Sequence, residues 1–118
     1  MEIINSLKEI LLDREEILVA YLYGSVASGV ARDDSDLDVG LLLEEGFEPD
    51  SFYPVRVSRE IEKGIGLDRE VDVRILNGKP ITFQHQVLKN GEILVTRDEM
   101  ARVKFETEVY DKYLDYKP

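Results

Sequence analysis

Two periods of apolar spacing run through this chain. From Glu2 to Arg14, Ile3, Ile4, Leu7, Ile10, Leu11 and Leu12 recur at intervals of three and four, which predicts an amphipathic helix. Ile17–Tyr23 (ILVAYLY) is short, rich in branched and aromatic residues, and ends at glycine; it predicts a strand buried on both faces. Small residues from Ser25 to Ala31 predict a brief helix starting at the Gly24-Ser25 turn, and Asp33-Asp34-Ser35 reads as a turn. Asp36–Leu43 (DLDVGLLL) predicts a second strand, followed by a loop from Glu44 to Asp50.

Ser51–Lys63 predicts a helix with Val55, Val57 and Ile61 on its apolar side. Pro54 fits only a first turn, so the helix can start there. Gly64-Ile65-Gly66 stops it. Glu70–Leu76 (EVDVRIL) alternates at period two, which predicts a strand with one wet face. After a turn at Asn77-Gly78-Lys79-Pro80 come a helix from Ile81 to Lys89 and a strand from Glu92 to Thr96. A long helix then runs from a cap at Asp98 to Tyr116, with Met100, Val103, Val109, Tyr113 and Leu114 expected to pack. The order implies a small α/β sheet covered by helices. Spacing alone does not set the pairing of its strands.

Length and composition narrow the class. The 118 residues suit a single domain with one core. With no cysteine there can be no disulfide or thiolate metal site, and a reducing cytoplasm is the expected setting. No apolar run is long enough to span a bilayer, and the acidic N-terminal helix lacks the marks of a signal peptide. The net charge of −10 argues against wrapping long RNA or DNA. It permits a basic protein partner, and it does not bear on a small nucleotide, whose metal ions can invert the local field.

The chemistry concentrates in Tyr23–Asp38. Residues i and i+2 of a strand share a face, so Asp36 and Asp38 project together. Two carboxylates this close raise each other's proton affinity unless a cation shares them, and Mg²⁺ with phosphate oxygens is the natural cation. Asp72 lies on the other wet-faced strand. If the two strands are neighbours it completes a three-carboxylate site, as a metal ligand or as general base toward an incoming hydroxyl. Gly24 lets the backbone approach a phosphate, and Ser25 adds a hydroxyl and helix-start N–H groups. A lone D-x-D is in most chains a solvated pair, and a lone Gly-Ser carries almost no signal. Ten residues apart and flanked by strands, the two are far more specific.

G-S-x(10)-D-x-D, here Gly24, Ser25, Asp36 and Asp38, resembles the signature of the DNA polymerase β-like nucleotidyltransferase superfamily. Ser35-Asp36-Leu37-Asp38 also fits its S-D-x-D form. Val71–Asn77, the proline and helix after it, Gly91–Leu94 and the ending Tyr113–Pro118 look like later segments of the minimal nucleotidyltransferases (MNT), so nearly the whole chain is covered. These are antitoxin partners of HEPN ribonucleases in type VII-like pairs. The resemblance implies a nucleotidyltransferase fold of the α/β (α+β) class, with a small mixed sheet flanked by helices. Asp36, Asp38 and Asp72 would be catalytic and hold two Mg²⁺ ions, and Gly24, Ser25 and Ser35 would bind nucleotide. It also implies ATP as substrate, and transfer of AMP to a tyrosine of a HEPN toxin carried on a separate chain in a hetero-oligomer. The rival readings are an antitoxin that only masks its toxin, and a transferase for a small molecule such as an aminoglycoside.

Relatives often have a basic residue where Ser28 stands, and Arg32, Arg74 or Lys79 could replace its contact with the triphosphate. They often have a second Asp where Ile75 stands, on the face away from Asp72. The single histidine, His85, reads as structural or surface. Tyr110, Tyr113 and Tyr116 form a stripe suited first to core packing and next to a partner.

Overall fold

A computed structural model describes residues 2–24, 36–66 and 70–116. Four helices and four strands follow the expected order: α1 (Glu2–Leu12), β1 (Ile17–Tyr23), β2 (Leu37–Leu43), α2 (Tyr53–Ile65), β3 (Val71–Ile75), α3 (Ile81–Asn90), β4 (Glu92–Thr96) and α4 (Glu99–Tyr116). The brief helix expected at Ser25–Ala31 and the turn at Asp33–Ser35 lie outside the described residues.

The strands form one mixed sheet in the order β3-β2-β1-β4. β1 is antiparallel to both β2 and β4, and β2 is parallel to β3. The parallel pair needs a crossover, and α2 supplies it. Three local devices set its ends. Pro54 sits in the first turn of α2, where a missing N–H costs nothing. Gly66 ends the helix in the left-handed region (φ 69°) and donates its N–H to the Glu62 carbonyl. Past β3, the Asn77 side-chain amide pairs with both the N–H and the carbonyl of Leu43, at 2.9 Å each, and so extends the edge of β2.

Alternation along the strands gives the sheet two faces. Ile17, Ala20, Leu22, Leu37, Val39, Leu41, Val71 and Val73 pack under α1 and α2 with Leu7, Leu11, Tyr53, Val57 and Ile61. Val19, Tyr21, Leu42 and Leu76 pack on the other side with Val87 of α3 and Phe105 of α4. Asp98 caps α4 as expected, its Oδ1 accepting from the Ala101 N–H at 3.0 Å. The packing residues of two helices differ from the expectation. Val57 and Ile61 of α2 and Val109 of α4 are buried as expected, and Tyr53 joins them, but Val55 of α2 and Met100, Val103 and Leu114 of α4 are exposed. In α4 the stripe turned to the sheet is displaced from the one the apolar residues alone suggest. Tyr110 and Tyr116 are likewise exposed, so the tyrosine stripe is not core. His85 stacks flat on Tyr113 at 3.5 Å, a structural contact between α3 and α4.

Candidate active site

The register of the sheet brings the chemistry together. Tyr23 of β1 lies opposite Asp38 of β2, and Asp38 lies beside Asp72 of β3. Directly paired residues point to the same face, so Tyr23, Asp38 and Asp72 form a row across three strands on the α3 side. The next row on that face is Tyr21, Gly40 and Arg74. Asp36, two residues before Asp38, is exposed just ahead of β2. The Leu37 N–H bonds the Glu70 carbonyl at 3.0 Å, which fixes the start of the β2–β3 pairing. It also separates Glu70 from Asp72, since the latter is the one in register with Asp38.

Gly24 closes the row from above. Its φ is +80°, in the left-handed region that favours glycine. A Cβ built on it would stand 2.3 Å from Asp38 Oδ2, so backbone and carboxylate are already in contact. Ser25 and Ser35, the other expected nucleotide-binding residues, lie outside the described residues, as do Ser28 and Arg32.

The row is electrostatically strained. Burial, then repulsion from Asp72 and to a smaller extent from Asp36, raises the proton affinity of Asp38 above the ordinary carboxylate range, and Arg74 opposes the shift. The Tyr23 phenol is pushed up to about 12, mainly by burial, with Arg74 opposing and Asp38 and Asp72 adding. Arg74 Nε donates to Asp72 Oδ2 at 3.1 Å, and its guanidinium lies 5.7 Å from the centroid of the Phe83 ring. Phe83 meets Tyr23 edge to face at 5.9 Å. Among the described residues the buried Tyr23 hydroxyl has no hydrogen-bond partner.

Among the described residues, no three carboxylate or imidazole groups are closed up as a metal cage, and Asp72 turns to Arg74 instead. The donor set still suits a hard divalent cation: oxygen ligands only, in like-charged excess, with Asp38 carrying the cost of repulsion. Of the three basic residues considered for the triphosphate, Arg74 is at the row. Lys79 is exposed in the turn beyond β3, and Arg32 is not described. Tyr23 and Phe83 were not singled out from sequence. The signal for Tyr23 was its place immediately before Gly24, whereas Phe83 has none short of the tertiary contact. A cavity of about 620 Å³ opens at the far end of β2, between α4 and the Asn77-Gly78 turn, and holds none of the three aspartates.

Comparison with solved structures supports the fold. A toxin–antitoxin crystal structure with AMP-PNP matches at a TM-score of 0.80 and 21% identity, covering 97% of this chain and 89% of that one. The MNT antitoxin complexed with tri-AMPylated HEPN toxin of Shewanella oneidensis matches at 0.76 and 19%, covering 98% and 87%. A chain provisionally described as a minimal nucleotidyltransferase matches at 0.56 and 29%, covering 77% and 92%. A search of curated proteins finds no significant match. The family model for "Polymerase beta, Nucleotidyltransferase" matches residues 5–100, from within α1 to the start of α4. That span contains the whole acidic row and every strand that positions it, and the chain belongs to the polymerase β nucleotidyltransferase family.

Proposed function

We propose that the chain, as a single nucleotidyltransferase domain, transfers AMP from ATP to a tyrosine hydroxyl of a HEPN ribonuclease toxin, and so acts as its antitoxin in a cytoplasmic hetero-oligomer. The observation that carries this reading is the lateral row Tyr23–Asp38–Asp72 with Gly24 pressed on Asp38. Two solved relatives by fold support the choice of nucleotide and acceptor: one is a toxin–antitoxin structure with AMP-PNP, the other an MNT antitoxin with a tri-AMPylated HEPN toxin.

Asp36, Asp38 and Asp72 would hold Mg²⁺. Bound there, the metal supplies charge neutralisation for the phosphates and for the developing negative charge. The protein's own groups do the rest. The Gly24 turn lies tight against the Asp38 carboxylate, where a side chain would collide with it, and its backbone would face the phosphates. Arg74, released from Asp72, is the cation within reach of the row and takes the place of the residue missing at Ser28. Ser25 and Ser35 add hydroxyl donors. Asp72 accepts the proton of the attacking tyrosine hydroxyl. The new bond joins that oxygen to the α-phosphorus, the bond from the α-phosphorus to the bridging oxygen breaks, and pyrophosphate leaves in line. Catalysis on this view is positioning and charge stabilisation.

The test is incubation with ATP, Mg²⁺ and the candidate HEPN chain, followed by intact mass. Addition of whole AMP units to the HEPN chain is expected, and none with Asp36→Ala/Asp38→Ala. If that double variant silences the toxin fully at equal dose, masking and not transfer is the antitoxin activity.

A further inference from the structure

α4 has two apolar sides. The inner one turns Phe105 and Val109 to the sheet and stacks Tyr113 on His85 of α3. The outer one carries Met100, Val103, Thr107, Tyr110 and Leu114, spaced alternately three and four, which are the a and d positions of a heptad; Tyr110, at its edge, also meets His85 of α3 edge to face at 5.5 Å. Thr107 is exposed, and the other four are 84%, 49%, 42% and 69% exposed in turn. Solvent alone does not account for an apolar seam along one line of a helix that already buries its opposite side.

We propose that this seam pairs antiparallel with the same seam of a second copy of the chain, forming a two-fold dimer. The pattern is complementary to itself. In the antiparallel register each Tyr110 meets Thr107 of the second copy, and each Leu114 meets Val103, so a larger side chain faces a smaller one in these layers. The flanking positions agree: Lys104 falls beside Asp111 of the second copy, twice by symmetry, and both are exposed. The parallel alternative sets Glu106 against Asp111, two like charges. From Met100 to Leu114 the seam is about 21 Å long by the helical rise. One helix pair of that length buries less than a standard interface of about 1,600 Å², so the dimer is weak. This inference goes beyond the transfer reaction and does not depend on it.

Sedimentation equilibrium of the full chain tests it. The apparent mass should rise from 13.6 kDa toward twice that value as concentration increases through the micromolar range. Lys104→Glu alone and Asp111→Lys alone should each weaken association roughly tenfold, because each creates two like-charged contacts. Mixed together, the two variants should recover it, because both contacts in the mixed dimer are again opposite in sign. Val103→Ser/Leu114→Ser, at exposed positions that spare the fold, should be monomeric. A wild-type chain that stays monomeric to millimolar concentration overturns the proposal. So does a dimer indifferent to these variants, or a mixture that fails to recover association.

Discussion

On the α1/α2 side of the sheet, β2 contributes Leu37, Val39 and Leu41, all fully buried. The residues between them, facing α3, are Asp38 and Gly40, and β3 adds Asp72 and Arg74 beside them. The same two strands thus build a dry face and a charged one, one residue out of phase. The dry face gains from every apolar contact. The charged face is held in an arrangement it does not favour, with a carboxylate shifted by burial and by its neighbours. The larger apolar cluster lies on one side of the sheet, and the proposed chemistry on the other, where strain would have a use.

Four substitutions separate the faces. Asp38→Asn should lower adenylyl transfer on the order of 10³-fold while raising thermal stability. The sign follows from the raised proton affinity. Below the ordinary value of 3.8 the carboxyl is protonated in both folded and unfolded chains, and well above the folded value it is ionised in both. Between these limits the folded state binds more protons, so wild-type stability falls as pH rises and the deficit is complete above the window. Melting temperatures of the two proteins should converge in acid and separate toward neutral pH; equal values throughout would remove the strain from the account. Leu41→Ala, on the dry face, should do the opposite. We expect a loss of about 3 kcal/mol in denaturant unfolding, with the activity of the remaining folded protein largely kept. Gly24→Ala should lower activity about 10²-fold through misplacement of Asp38 and cost about 1 kcal/mol for a side chain at positive φ. Kinetics together with unfolding curves read both. The smallest change is Tyr21→Phe. The Tyr21 hydroxyl donates to Glu106 Oε2 at 2.8 Å, and Arg102 still pairs with Glu106 without it. A loss of about 1 kcal/mol with unchanged kinetics is expected.

Much of this division was legible in the sequence, because a strand with one apolar face writes its period into the chain. Val71, Val73 and the charged residues between them gave β3 and its wet face, and Asp36-x-Asp38 gave the acidic pair. The adjacency of Asp38 and Asp72 was not legible. It depends on β2 pairing parallel to β3 while antiparallel to β1, and period two is blind to strand direction. Arg74 was one of three basic candidates until the sheet placed it in the row behind Asp72. Phe83 looked like any apolar helix residue, because its meaning lies in contacts with Tyr23 and Arg74 that only the tertiary structure makes. On α4 the mistake had a different origin. Met100, Val103 and Leu114 have the right period for burial, but the helix is apolar on two sides and turns the other one inward.

Arg97, just past β4, closes the molecule. Its side chain donates to the carbonyls of Leu12 and Arg14 at the end of α1 and to that of Ile17 at the start of β1, 80 residues earlier. β4 itself pairs along β1, on the side away from β2. A ribosome therefore releases β1, β2 and β3 with the N–H and C=O groups along one edge of β1 still unpaired, and open edges of that kind invite pairing with other chains. The acidic row can assemble before β4 exists, yet the nascent protein stays vulnerable to aggregation until β4 and Arg97 emerge.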